Sequence, residues 1–231
     1  SNRERMYLFN DVTTPVAITS EAFKNFLSTA SVQDSWETGC LFPAIFNKAG
    51  YNVVLYSNQF ARSKYSDGAI FINHPDVDSM CFNIRNEHLY QDDARCLDDF
   101  MMNLPQIEKR HNFVMIHLNG QHTPYNIRYP ESATYFTSDS LYWRTDLSAS
   151  QKAEVAEYDN ALRYNDSIIG KIIDVYKDKN SLILCFADHG DEVHDARAKV
   201  GRAYDLASAP VKSVQSQMDV TIWISMSDSC L

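Results

Sequence analysis

The sequence predicts an α/β fold, a mostly parallel sheet with helices on both faces, and three observations carry that prediction. Residues 51–56, 113–116 and 182–186 are apolar runs without polar alternation, the pattern of strands buried on both faces of a sheet. Segments with apolar residues three and four apart alternate with these runs, as they do where crossover helices join parallel strands. Each run also stops on a polar cluster: Ser57-Asn58-Gln59, then His117 with His122, then Asp188-His189. In open α/β sheets ligands collect at the carboxyl ends of strands, so these ends would converge on one edge.

Taken in order, Met6-Tyr7-Leu8-Phe9 reads as a short strand, followed by Asn10-Asp11 and the turn-forming Thr14-Pro15. Residues 20–30 carry helical spacing in Ala22, Phe23, Phe26 and Leu27. A second helix covers 41–49, closed by Gly50 where a helix end wants a left-handed residue. After the 51–56 strand, residues 69–72 give another short strand. Residues 87–104 read as a helix with Leu89, Leu97, Phe100, Met101 and Leu104 inward and Pro105 stopping it. The strand 113–116 leads into His117-Leu118-Asn119-Gly120-Gln121-His122. Residues 125–144 are aromatic, polar and aperiodic, a long loop of the kind that carries function or disorder.

The best-patterned helix is 151–177. Val155, Tyr158, Leu162, Asn165, Ile169, Ile172 and Tyr176 fall three and four apart, and Ser148 with Gln151 makes a capping box. A short turn leads to Leu182-Ile183-Leu184-Cys185-Phe186. Residues 196–217 are polar and irregular, and 220–225 form a last strand. The chain has no internal repeat and no low-complexity segment.

With 231 residues and 45% apolar content, the chain can bury a sizeable core as one large domain or one with a small lobe. A net charge of −9 argues against a nucleic-acid backbone as partner. No run of about 18 apolar residues occurs and no charged-then-apolar signal opens the chain, so this piece reads as soluble. Ser1-Asn2 reads as the remnant of a cleaved expression tag, and the chain as an excised domain. The five cysteines show no CxxC pairing or zinc-ribbon spacing. Cys185, inside a strand, reads as a small hydrophobe, while Cys81 and Cys96 are open to pairing or not.

Asp188-His189-Gly190 sets two metal-capable side chains at a strand end, before a glycine that lets the backbone turn sharply. An ordinary polar turn is the competing reading. Zinc wants about four donors, and the chain shows no second dense cluster of them. A hydroxyl bound to the metal could be one, since the metal lowers its pKa and makes it a nucleophile. A helix N-terminus also attracts a phosphoryl group. Thr19 and Ser20, where the first helix starts, fit this description, and each also fits an ordinary N-cap.

Several motifs together resemble a known family. Ile116-His117-Leu118-Asn119-Gly120-Gln121-His122-Thr123-Pro124-Tyr125, then Arg128-Tyr129-Pro130, is similar to the H-x-x-G-S-H-x-P-Y…R-Y-P signature of bacterial phosphoethanolamine transferases. These are membrane-anchored enzymes of the alkaline phosphatase and sulfatase superfamily. Ala187-Asp188-His189-Gly190-Asp191-Glu192-Val193-His194-Asp195 resembles their S-D-H-G-E-E-V-Y-D. Ala49-Gly50-Tyr51 with Tyr56-Ser57-Asn58-Gln59 resembles A-G-Y…W-x-S-N-Q. Tyr158-Asp159-Asn160-Ala161 through Asp166 is similar to the Y-D-N-x-x-x-Y-x-D helix, and Ile222-Trp223-Ile224-Ser225 to the closing strand. The motifs keep their order from about Tyr7 to Ser225.

The resemblance implies an alkaline phosphatase/sulfatase-like fold and a single catalytic domain over 1–231. It implies one Zn2+ held by Asp188, His189 and a threonine nucleophile, for which Thr19 aligns best and Thr13, Thr14 and Ser20 are fallbacks. That threonine would attack phosphatidylethanolamine, release diacylglycerol and pass phosphoethanolamine to a lipopolysaccharide-type acceptor through a covalent phospho-threonine. His122 would donate to the phosphoryl oxygens or the leaving group, a role open to imidazoles. Asn58, Gln59 and His117 would line the substrate site, with His194 or Arg202 standing in for a late histidine of many members. The family works at the inner membrane of Gram-negative bacteria with its catalytic domain in the periplasm.

Two departures qualify this. The family's acidic zinc ligand, in a G-E-S motif on an upstream strand, has no counterpart here, and the membrane helices are missing. The resemblance therefore implies a truncated domain with an incomplete metal site, weak zinc binding and little or no activity. A sulfatase would need C/S-x-P-x-R, which Cys40-Leu41-Phe42-Pro43 does not supply. A phosphodiesterase handing the group to water is a further alternative, as is a non-catalytic domain that binds lipid headgroups or glycans.

Overall fold

The computed structural model describes residues 6–58, the backbone of 79–82, and residues 93–202, 205–227 and 230. Gln59, the strand expected at 69–72, the Cys81 side chain and the start of the helix expected from 87 lie outside them. The chain divides into two compact units, Thr19–His122 and Ser1–Ile18 with Thr123–Leu231.

In the unit Thr19–His122, β2 (Asn52–Ser57) lies between β3 (Ser79–Phe82) and β4 (Asn112–His117), all parallel. Every residue of β2 is buried, as its unbroken apolar run predicts. Side chains alternate along a strand, so Val53 and Leu55 share one face and Tyr56 takes the other. On the first face, α1 (Thr19–Phe26) packs Phe23, and the following Leu27, with Leu55 and Met115. On that face too, α2 (Phe42–Lys48) stacks Phe46 on Phe113 at 4.2 Å. On the second, α3 (Asp93–Ile107) sets Phe100 edge-on to Tyr56 at 5.1 Å. Helices on both faces of a parallel sheet are thus realised within this unit.

Gly50 has φ +86°, the left-handed conformation expected after α2. Pro105 does not stop α3. It removes one donor near the helix end, and the pattern resumes with the Glu108 amide donating to Leu104 O at 2.9 Å.

In the other unit, β1 (Met6–Phe9), β8 (Ile222–Met226) and β5 (Leu182–Phe186) form an antiparallel sheet in that order. The expectation that β5 is buried on both faces of a parallel sheet does not hold. Among the described residues it pairs only with β8, antiparallel, and Leu182 and Leu184 are 58% and 52% exposed. An apolar run reports strand propensity, but it does not choose the neighbour or decide which faces are covered.

The long helix α4 (Ala149–Tyr176) starts on the expected box, the Ser148 hydroxyl accepting from Gln151 N and the Gln151 side chain from Ser148 N. Val155 and Ala156 join Tyr125, Leu141 and Val193 in a core. The segment before α4 is not structureless. It makes 3-10 turns at Tyr125–Ile127, Glu131–Ala133 and Ser138–Leu141. Asn160 of α4 pins it, accepting from Tyr135 N and Phe136 N at 2.8 Å each and donating to Phe136 O at 2.9 Å. The stretch expected to be irregular holds β7 (Val200–Gly201), paired with β6 (Glu192–Val193), and α5 (Val211–Met218). Ser213 and Gln217 are fully buried on α5, so polar residues at core positions hid its period.

Candidate functional site

Of the three strand ends expected to converge, those of β2 and β4 meet within the unit Thr19–His122, while β5 belongs to the antiparallel sheet of the other unit. Parallel pairing sets Ser57 opposite His117, with Ser57 Oγ 3.0 Å from His117 Nδ1 and the His117 ring edge-on to Phe23. The Asn58 amide donates to His117 O at 2.9 Å. Asn58 is 5% exposed, its side-chain amide given to the buried Asp93 at 2.7 Å. It braces the end of β2. His122 N donates to Asn119 O at 3.1 Å, closing the turn that carries the imidazole. Asp93, which the sequence reading did not single out, also takes the backbone amides of Asn119 and Gly120 at 2.8 Å each. Its partners lie 35, 26 and 27 residues away, so no local pattern marks it.

Thr19 is the first residue of α1 and 8% exposed. The first N–H groups of a helix lack intrahelical partners, which suits that end to an anion. Thr13 and Thr14 are committed to backbone pairing, Thr13 bridging Asp219 and the Thr14 amide donating to Met218 O at 2.8 Å.

In the other unit, Asp188 and His189 follow β5. His189 Nδ1 lies 2.8 Å from Gly190 O, which can only accept, so Nδ1 carries the proton and Nε2 offers a lone pair. Arg202 Nη1 meets that lone pair at 3.0 Å while donating to Ala17 O at 3.2 Å. Asp188 Oδ2 lies 3.2 Å from the same Nε2. A carboxylate oxygen and an imidazole nitrogen at this separation have the spacing of two ligands of one cation. Tetrahedral zinc with bonds of about 2.0–2.1 Å sets neighbouring ligands about 3.3 Å apart. The residues fit a metal in donor type and spacing. Among the described residues no group of three or more His, Cys, Asp or Glu gathers for one. Among the described residues, completing a site around the pair would take donors of another kind, such as a hydroxyl.

Gly190 is required by crowding, and its φ is not left-handed as a sharp turn would suggest. A Cβ there would overlap the carbonyl oxygen of Ser216 in α5, and the Gly190 amide donates to Gln217 O at 2.9 Å. Two residues on, Glu192 is fully buried and accepts from Ala196 N at 3.0 Å and from Arg197 N, Arg197 Nε and Ser213 Oγ. Burial pushes this carboxyl up, but the bonds from Ser213 and Arg197 outweigh it and hold it below the usual range. His194 adopts φ +58° with its ring buried and Nε2 2.5 Å from Glu154 Oε2. Its carbonyl accepts from Arg144 at 2.9 Å. The structure therefore places His194 against Glu154 of α4, and Arg202 against His189. Burial pushes the Tyr158 hydroxyl up to about 12, with Asp191 adding to it, and raises Tyr125 further.

A sulfatase family model matches residues 2–220. The chain belongs to the sulfatase family. Within the curated sulfatase relatives, phosphoethanolamine transferase EptC of Escherichia coli K12 is 27% identical over 195 residues, covering 81% of this chain and 33% of that protein. The Kdo(2)-lipid A phosphoethanolamine 7''-transferase of the same strain is 24% identical, covering 79% and 31%. The chain spans about a third of the length of the curated relatives it matches.

Among solved structures, the zinc complex of the C-terminal periplasmic domain of Escherichia coli EptC superposes with a TM-score of 0.82. It is 22% identical, with 98% of this chain and 63% of that one covered. The soluble domain of lipooligosaccharide phosphoethanolamine transferase A from Neisseria meningitidis gives 0.68 at 19% identity, covering 98% and 67%. The fold is thus the alkaline phosphatase/sulfatase-like fold. No helix among the described residues is long and apolar enough to cross a membrane.

Proposed function

We propose that this sulfatase-family chain is the catalytic domain, over 1–231, of a phosphoethanolamine transferase. It takes phosphatidylethanolamine as donor and a lipopolysaccharide-type molecule as acceptor, and works on the periplasmic side of a Gram-negative inner membrane. The observation that carries the reading is the pair Asp188 Oδ2 and His189 Nε2, 3.2 Å apart with Nδ1 anchored on Gly190. It stands in a chain homologous to phosphoethanolamine transferases over four-fifths of its length.

In this reading Asp188, His189 and Thr19 would be the zinc donors, and the set is short of the family's acidic ligand. Bound zinc supplies Lewis acidity, lowering the pKa of a ligated hydroxyl. The Gly190 carbonyl holds the proton on Nδ1 of His189 and so keeps Nε2 available as a donor. The Thr19 hydroxyl gives its proton to solvent and attacks phosphorus, the bond from phosphorus to the diacylglycerol oxygen breaks, and His122 gives that oxygen its proton. An acceptor hydroxyl then returns a proton to His122 as its oxygen attacks the phospho-threonine, and Thr19 leaves and takes a proton from solvent. Arg202, Asn58, Gln59, His117 and His194 complete the substrate-side assignment, with Asn58 acting through the fold of the strand end.

The test pairs two measurements. Zinc titration by calorimetry is expected to show binding that Asp188→Ala abolishes. With zinc in excess and phosphatidylethanolamine supplied, mass spectrometry is expected to find slow release of diacylglycerol and a small fraction of phosphoethanolamine on the Thr19 peptide, both lost in Thr19→Ala. Headgroup release that survives Thr19→Ala would overturn the nucleophile assignment. Release to water with no transfer to a lipopolysaccharide acceptor would identify a phosphodiesterase instead.

A further inference from the structure

In the unit Thr19–His122, Asp93 joins three chain segments at the strand ends. Its carboxylate is 4% exposed at the first residue of α3. Oδ1 accepts from Asn58 Nδ2 at 2.7 Å and Asn119 N at 2.8 Å, and Oδ2 accepts from Gly120 N at 2.8 Å. Asn119 returns a bond from its own amide group to Asn58 O at 3.3 Å. Gly120 has φ +55°, and successive N–H groups entering a left-handed residue form a concave nest for an anion. Here that anion is supplied from within the fold.

A buried carboxylate is costly unless it is well hydrogen-bonded, and packing alone would be served by an apolar side chain. What a carboxylate adds is two oxygens that both accept, and consecutive backbone amides need both. The turn so fixed leads directly to His122, whose own amide closes on Asn119 O.

We infer that Asp93 is a positioning residue for the transfer reaction. By filling the Asn119–Gly120 nest it sets the turn that presents His122. This rests on the role given to His122 under the proposed function. Asp93→Asn keeps the shape but turns one acceptor into a donor, so one bond of the nest is lost. Adding Asn58→Asp restores an amide–carboxylate contact between the two side chains without restoring two acceptors to the nest.

The experiment reads both variants two ways. Hydrogen exchange at the Asn119 and Gly120 amides is expected to quicken about 10-fold or more in Asp93→Asn. It should stay fast in the double variant even where thermal stability recovers. In headgroup-transfer kinetics, kcat is expected to fall about 10–100-fold with KM for the donor lipid unchanged. The same substitution placed on a His122→Ala background should produce no further loss. Unchanged exchange, or a full additional loss on that background, would overturn the inference. Quickened exchange in a protein that neither binds zinc nor carries out any transfer before substitution would sink the functional reading and leave the clamp itself standing.

Discussion

Replacing Glu192 with glutamine probes the network behind the Asp-His-Gly turn. Its Oε1 accepts two backbone amides, which an amide oxygen can still take, while Oε2 accepts from Arg197 Nε and Ser213 Oγ. Ser213 can rotate, because its oxygen already accepts from Gln217 Nε2 at 3.1 Å. Arg197 Nε cannot, since it is a donor only, and the introduced NH2 would face it. The variant therefore loses one charged hydrogen bond and sets donor against donor in a fully buried place. This costs about 3 kcal/mol. At roughly 2–4 °C per kcal/mol for a chain of this size, the thermal midpoint falls by roughly 6–12 °C.

The pH dependence adds a second check. Glu192 sits below its ordinary range in the folded protein, so its stabilisation is full above the unfolded value and is lost as pH falls through the folded one. Thermal melts of both proteins from neutral pH downward should show the gap closing below about pH 4. A gap under about 0.5 kcal/mol at neutral pH, the size of an ordinary surface change, would refute the reasoning. So would a gap that is flat with pH.

Four further outcomes are expected. Gly190→Ala, which drives a methyl into the Ser216 carbonyl, should destabilise by about 1–3 kcal/mol and weaken zinc binding, read by melting and calorimetry. Arg202 meets the Nε2 lone pair that a metal takes, so Arg202→Ala should tighten zinc binding several-fold in the same titration. Asn160→Ala leaves two amides and a carbonyl of residues 135 and 136 unpaired and should cost about 2–4 kcal/mol, with faster proteolysis between 125 and 144. Tyrosine absorbance should keep rising to near pH 12, where Tyr158 titrates. Because its folded value is raised, stability from Tyr158 is complete below pH 10 and drains away between 10 and 12.

The sequence made the parallel half of the fold legible because β2 is buried on both faces and its apolar run has no other explanation. The capping box of α4 and Gly50 after α2 were legible for the same reason, a local pattern with one physical use. β5 misled because strand propensity is local in sequence while partners and cover come from elsewhere in the chain. α5 was invisible because buried Ser213 and Gln217 occupy positions where periodicity expects hydrocarbons. At the candidate site, Asp188 and His189 could be picked out from type and spacing. The tautomer of His189, the contact with Arg202, the crowding at Gly190 and the Asp93 clamp could not. Each depends on a meeting between residues distant in sequence, or on the direction in which a ring faces.

The Asp93 clamp also bears on the order of folding. Asn58, Asp93 and Asn119 are 35 and 26 residues apart, and the clamp closes only when β2 and β4 are in register and the first turn of α3 has formed. Closing loops of that length costs entropy before any bond is gained. The clamp therefore belongs to the native side of the rate-limiting barrier. Asp93→Asn should leave the refolding arm of a denaturant chevron in place and steepen loss of the native state, raising the unfolding rate by nearly the whole change in stability. A side chain that orders a turn for chemistry would then also govern how long each folded molecule lasts.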